Sequence, residues 1–146
     1  MPVPPEYLRV GEFFNDFLLR VREETSLATR HQSYTCLQAV LTVFRKRLTP
    51  EQVIRFAQIL PPVVDSIFLD GWTPEEFTPG WGTRASQAGE VHDLRRDHNF
   101  STDTAIEDIA RAIRTTVGDA VLDAALEPLG QGAKDFWRTG DRHDLP

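Results

Sequence analysis

The feature that most restricts the fold of this chain is a run of apolar residues spaced for one face of an α-helix. Apolar side chains recur at intervals of one, three and four positions, and they are Cys36, Leu37, Val40, Leu41, Phe44 and Leu48. This spacing matches the 3.6-residue period of a helix and not the alternation of a strand. The pattern therefore predicts an amphipathic helix whose apolar face is buried.

Two start signals place this helix and the one that follows it. Thr29 has Gln32 three positions later, which predicts a capping box in which each side chain satisfies a backbone N–H group of the other residue. Thr49 is followed by Pro50, and a proline is well suited to the first helical position because no N–H is needed there. We therefore expect one helix to begin near residue 30 and the next near residue 50.

Weaker patterns predict the remaining helices. The helix before residue 25 has the apolar residues Phe13, Phe14, Phe17, Leu18 and Val21. The weakest helix is predicted over 84–97, and its thin apolar face consists of Ala85, Ala88, Val91 and Leu94. Thr104 with Glu107 predicts a capping box for a helix over 105–117, and Asp119 is expected to cap the short helix after it.

The composition is that of an ordinary globular protein and disfavours two classes of partner. With 146 residues, 40% of them hydrophobic, the chain can bury a core as a single domain. Its net charge of −6 disfavours nucleic acid, and no window approaches the roughly 20 apolar residues that a membrane span needs. The lone cysteine and the lack of a secretory signal pattern lead us to expect a cytoplasmic protein without cofactors.

An internal match indicates that the chain contains the same unit twice. Residues 36–68 align with residues 105–137 without a gap, at an offset of 69. The aligned pairs are Leu37 with Ile106, Val40 with Ile109, Phe44 with Ile113, Val53 with Leu122, Phe68 with Trp137 and Arg45 with Arg114. We therefore expect an all-α helical bundle of two diverged tandem repeats, each of three to four helices, packed on one core.

A segment without regular structure separates the two predicted repeats. Residues 70–82 read DGWTPEEFTPGWG and contain three glycines and two prolines, which are typical of loops. We refer to residues 70–82 as the linker. The first repeat then spans about 8–69 and the second about 83–137, both within one domain of residues 1–146.

The linker carries three large aromatic residues, and side chains of this size either pack on the core or bind a partner. We expect Trp72 to be largely buried, and to act with Phe68 and Trp137 as a structural anchor. Phe77 and Trp81 form a possible interaction surface, because glycines flank Trp81 and hold it loosely. The alternative is that all three linker aromatics anchor the linker over the seam between the repeats.

Several short motifs lie between residues 30 and 72. They are Tyr34, the LQAVL run at 37–41, Arg47 with Leu48, Leu60 with Pro61, and the ending Asp70, Gly71 and Trp72. With these motifs the stretch resembles the first half of the bacterial family called domain of unknown function 2267. The resemblance covers about Glu12 to Trp137 and implies tandem helical repeats, but it implies no reaction, cofactor or catalytic residue.

Two clusters could in principle carry chemistry. His92, Asp93, Asp97 and His98 are all possible metal ligands. However, His92 and His98 are about 240° apart around a helix, so a solvated polar face is the better interpretation. Cys36 lies close after His31, but it is on the apolar stripe, where we expect a buried core residue and not a nucleophile.

No catalytic, cofactor-binding or metal-binding residue is therefore predicted. The sequence favours a non-enzymatic helical interaction module that associates with a second copy or with another protein, because it has a core and helix caps but no converging reactive groups. The alternative is a binder of a small molecule or metal, possibly an enzyme, that uses the cleft between the two repeats.

Overall fold

The computed structural model describes residues 2–26, 29–95 and 104–140. Its helices are α1 (Pro5–Leu8), α2 (Val10–Thr25), α3 (Arg30–Arg45), α4 (Pro50–Ala57), α5 (Val64–Leu69), α6 (Arg84–Leu94), α7 (Ala105–Val117), α8 (Asp119–Leu126) and α9 (Gln131–Phe136). Short 3-10 turns occupy Pro74–Glu76 and Glu127–Leu129. No strand occurs in the described ranges, so the all-α class is confirmed. No helix in these ranges is long and apolar enough to cross a membrane.

One hydrophobic cluster forms the core, and residues from both ends of the chain contribute to it. Every residue of the predicted apolar stripe of α3 is buried. On α7, Ile106, Ile109 and Ile113 are buried, and α2 packs against both α3 and α7. Fully burying one such side chain contributes roughly 1.5–3 kcal/mol. The long helices α2, α3 and α7 therefore hold the two halves of the chain together.

The capping box predicted at Thr29 and the N-cap predicted at Thr49 are both confirmed, and Thr49 also forms a capping box. At the start of α3, the backbone N–H of Gln32 donates to Thr29 Oγ1 at 3.1 Å, and the backbone N–H of Thr29 donates to Gln32 Oε1 at 3.1 Å. At the start of α4, the corresponding bonds join Thr49 and Gln52 at 3.3 and 2.9 Å. Each pair of bonds satisfies N–H groups that the first turn of a helix would leave without an acceptor.

The capping box predicted for Thr104 with Glu107 does not form, and the cap predicted at Asp119 is wrong. Thr104 is the N-cap of α7, but its side chain makes no capping bond to the backbone, and its hydroxyl donates to Asp108 Oδ2 at 2.9 Å. The N-cap of α8 is Gly118, whose φ of 98° turns the chain sharply between the two helices. Asp119 is consequently the first residue of α8, and its carboxylate pairs with Arg114 at 3.0 Å.

The buried face of α6 also differs from the prediction. Ala85 and Leu94 are exposed, and the buried residues on this side are Gln87, Val91 and Arg95. Polar side chains can be buried here because backbone carbonyls accept from them: Gln87 Nε2 donates to the carbonyl of Trp81 at 2.8 Å. The predicted end of this helix at Asp97 lies outside the described residues.

Several features of the structure recur at the offset of 69. Helices α4 and α8 begin 69 residues apart and also end 69 residues apart. Arg45 donates to the carbonyl of Phe68, and Arg114 donates to the carbonyl of Trp137. Both of these aromatic side chains are fully buried. The correspondence therefore includes hydrogen bonds as well as apolar positions.

Candidate interaction surface

The start of the linker is held by a buried arginine at the end of α3. Arg45 Nε and Nη2 donate to the two carboxylate oxygens of Glu76, at 2.8 and 2.6 Å. Arg45 Nη1 donates to the carbonyls of Phe68 and Asp70, at 2.7 and 2.9 Å. The bidentate pair of Arg45 with Glu76 fixes the relative orientation of the two side chains and also stabilises the contact. The linker is therefore tied to α3.

The second part of the linker is held by the residues that follow Arg45. The backbone N–H of Thr78 donates to the carbonyl of Lys46 at 2.8 Å, and Arg47 Nε donates to the carbonyl of Trp81 at 3.2 Å. Lys46 and Arg47 also pair with Glu90 on α6. Burial would raise the pKa of Glu90, but the hydrogen bonds from Arg47 and Lys46 outweigh it and lower the pKa.

Trp81 packs against side chains from both halves of the chain. Its ring centroid lies 5.6 Å from that of Phe44 and 6.3 Å from that of Phe136. A Cβ atom at Gly132 would overlap the indole, so the backbone of α9 approaches Trp81 as closely as only a glycine permits. The expectation that Trp81 is loosely held is therefore wrong. Its place in an interaction surface stays a prediction.

The other predicted aromatic residues differ in exposure. Phe68 and Trp137 are fully buried in the core. Trp72 is partly buried and packs against the core. Phe77 follows the 3-10 turn of the linker and is 41% exposed. Of the three linker aromatics, Phe77 therefore offers the most surface to a partner.

Cys36 is not placed to act as a nucleophile. Its side chain is buried in the core, and burial raises the pKa of the thiol to about 11, although the charge of Arg95 opposes this shift. A thiol with this pKa stays protonated near neutral pH, and the reactive form of cysteine is the thiolate. The structure therefore agrees with the interpretation of Cys36 as a core residue.

The described residues contain no cluster of three histidine, cysteine or acidic side chains that could hold a metal ion. His92 and Asp93 are exposed at the end of α6. Asp97 and His98, the other two residues of the cluster considered from the sequence, lie outside the described ranges.

Comparison with known families identifies the group to which this chain belongs. The family model described as uncharacterized conserved protein DUF2267 matches residues 14–136. The chain is a member of DUF2267. No curated protein matches it. The DUF2267 region begins within α2 and includes the linker and all the later helices.

Inside the DUF2267 region, a cleft of about 400 Å³ lies between α4 and α8. Its apolar wall consists of Phe56, Ile59, Ala125, Pro128 and Leu129. At its edge, Arg55 and Glu51 pair with each other at 2.9 Å, and both are exposed. This is the cleft between halves that the alternative interpretation of the sequence requires.

At the N-terminal edge of the DUF2267 region, a second depression of about 330 Å³ lies beside α2. We call it the N-terminal groove. Its apolar lining consists of Phe13, Phe14, Phe17, Pro61, Pro62 and Val64. Glu6, Asp16 and Arg20 line it as well, so charged groups border the apolar surface.

Sequence reasoning missed the residues that fasten the linker. In the sequence, Arg45 was aligned with Arg114 and Arg47 was part of a short motif with Leu48, but neither was connected with the linker. Arg45 and Glu76 meet in space although 31 positions separate them in the chain. No periodic signal in the sequence joins positions so far apart, so a structure was needed to find this contact.

Proposed function

We propose that this DUF2267 protein is a non-enzymatic interaction module that binds a second copy of itself or another protein. The observation that carries the proposal is the exposed apolar surface at the N-terminal end, where Tyr7, Leu8 and Phe13 are all at least half exposed. Several exposed large apolar side chains near a groove, which Phe13 itself lines, are typical of protein interfaces. The exposed Phe77 adds a second, smaller apolar site in the linker.

The arrangement of reactive groups supports a binding role more than an enzymatic one. The Cys36 thiol is buried and protonated, and the charged groups that converge near the linker are engaged with each other. Arg45 pairs with Glu76, and both Lys46 and Arg47 pair with Glu90. Groups that neutralise one another in this way stabilise the fold and leave no nucleophile beside a base.

The proposal includes a tandem duplication, so that each half of the protein is one copy of an ancestral helical unit. The equal spacing of α4 and α8 supports it. The two arginines Arg45 and Arg114, which bind the carbonyls of Phe68 and Trp137, support it independently of the apolar pattern. Neither half can cover its apolar face alone, which explains why they share one core.

Molar mass measured against concentration tests the proposed function. We expect light scattering after size exclusion to give a mass that rises from one chain towards two as the loading concentration rises. Affinity purification with the tagged full chain covers the case of a different protein partner. A constant monomer mass combined with no stoichiometric partner would contradict the proposal.

The alternative function, binding of a small molecule or metal, is favoured only by the cleft between α4 and α8. A specific ligand for this cleft would raise the melting temperature by mass action. We expect no shift from a panel of metabolites and divalent metals. A reproducible shift that Phe56→Ala or Ala125→Trp removes would favour the cleft over the interaction surface.

A further inference from the structure

Exposed apolar side chains are concentrated in the first helices of the protein. Four of the ten large apolar side chains that are exposed in the described residues belong to residues 3–13. The exposed fraction is 60% for Tyr7, 69% for Leu8 and 50% for Phe13. Phe13 also lines the N-terminal groove, and we use the name N-terminal patch for the groove together with the exposed residues Tyr7, Leu8 and Phe13. A patch of this kind is costly to leave in water and points to a partner.

The N-terminal patch carries both acidic and basic residues. Residues 6–20 contain three acidic and two basic residues, so this segment has a net charge of −1. Two copies of an acidic protein repel each other at most contacts. The N-terminal patch contains both signs of charge, so opposite charges of two copies can face each other there.

Two residues of the groove provide the charge complementarity that a symmetric contact needs. Asp16 and Arg20 both line the N-terminal groove and are exposed. They are four positions apart on α2, yet within the described part of the chain neither forms an ion pair. In a two-fold dimer, residue i of one copy contacts residue j of the other, and the reverse contact follows by symmetry. One acidic and one basic residue on the same face therefore give two equivalent ion pairs.

We propose that a second copy of this chain covers the N-terminal patch in a two-fold dimer. Tyr7 and Leu8 of each copy pack on the apolar wall of the groove in the other copy. Asp16 of each copy pairs with Arg20 of the other. This inference rests on the proposed function and names the surface and the partner. The dimer is a weak one, because each half-exposed large side chain offers only on the order of 100 Å² and a stable complex buries about 800 Å² per partner.

Sedimentation equilibrium of the full chain tests the apolar contact. Leu8→Glu places a charge in the patch, and we expect it to weaken dimerisation at least tenfold. Ile54→Glu is the matched control, because Ile54 is 52% exposed on α4 and does not line the groove. It should leave dimerisation unchanged. Circular dichroism and melting curves establish that both variants fold, which is expected because both side chains are exposed.

Charge reversal tests the ion pairs. Asp16→Arg and Arg20→Asp should each weaken the dimer several-fold, because each places two like charges together across the axis. The double variant with both changes restores opposite charges and should recover most of the affinity. If a dimer forms but responds to neither Leu8→Glu nor the reversals, this inference is wrong while the proposed function stands. If the chain stays monomeric and instead captures a different protein through the same patch, the second copy is the wrong occupant.

Discussion

Arg45 and Arg114 occupy matching places in the two halves of the protein, but their surroundings differ. Both lie near the end of a long helix, and both donate to the carbonyl of a buried aromatic residue. The Arg45 side chain is 4% exposed and is covered by Glu76 of the linker. The Arg114 side chain is 15% exposed and pairs with Asp119 and Asp123, two carboxylates that are mostly in water.

The difference shows that an arginine at matching positions of the two halves can have two different structural roles. Arg45 is removed from water, so its charge depends on the hydrogen bonds that the linker supplies. Arg114 keeps some solvent, and its carboxylate partners come from the next helix in the chain. In the first half the arginine fixes a distant segment, whereas in the second half it supports a local helix junction. The two arginines should therefore differ in their contribution to stability.

The largest expected effect comes from removing each arginine in turn. Arg45→Ala should lower the free energy of unfolding by about 3–5 kcal/mol, because it leaves Glu76 and two carbonyls without their donor. Arg114→Ala should cost about 1 kcal/mol, since its carboxylate partners can be hydrated. Urea denaturation at neutral pH measures both. Equal losses in the free energy of unfolding for the two variants would show that the two arginines contribute equally to stability.

The second comparison concerns Cys36 and Ala105, which are 69 positions apart and both buried. Burial raises the pKa of the Cys36 thiol from 9.0 to about 11, so the folded state holds this proton more tightly than the unfolded state does. The resulting stability is complete below about pH 9 and is lost as the pH rises towards 11, by about 2–3 kcal/mol in total.

Cys36→Ala places alanine at both position 36 and position 105. It should remove the loss of stability at high pH that comes from ionisation of the Cys36 thiol. Thermal unfolding of both proteins between pH 8 and pH 11 checks the prediction. A second measurement uses a thiol reagent at pH 8, which should react slowly with the folded protein and quickly in urea. Fast reaction of the folded protein would show that the thiol is accessible.

The smallest expected effect comes from the starts of α4 and α8. Thr49→Ala removes a side-chain cap and should cost roughly 0.5–2 kcal/mol. Asp119→Ala removes no cap, only an exposed ion pair with Arg114, and should cost a few tenths of a kcal/mol. The denaturant midpoints of the two variants measure this difference. A larger loss for Asp119→Ala would mean that the junction at Gly118 depends on its carboxylate.

The sequence predicted the helices best where the signal is local. The stripe of α3 and the caps at Thr29 and Thr49 depend on residues within one or two turns of each other, and all were confirmed. The linker was predicted to be irregular, but its attachment to α3 was not predicted. That attachment depends on Arg45 and Glu76, which are adjacent only after the chain has folded back.

The errors on α6 and in the linker have a related cause. The apolar face of α6 was predicted from Ala85, Ala88, Val91 and Leu94, of which only Val91 is buried. The other buried residues there, Gln87 and Arg95, donate to backbone carbonyls. Trp81 was judged by its flanking glycines, but it is packed by Phe44 and Phe136 from distant segments. Periodicity and local composition report neither kind of contact. The N-terminal patch was not predicted, because Phe13 was grouped with the other apolar residues of α2 and no role was assigned to Tyr7 and Leu8.

The close approach of Gly132 to Trp81 has a consequence for how the protein can change during evolution. A methyl group at position 132 needs the space that the indole occupies. Alanine there becomes acceptable only in a chain that already has a smaller residue at position 81. That smaller residue by itself leaves a cavity beside Phe44 and Phe136. The two positions must therefore change in a fixed order or together, which links the history of the linker to that of α9.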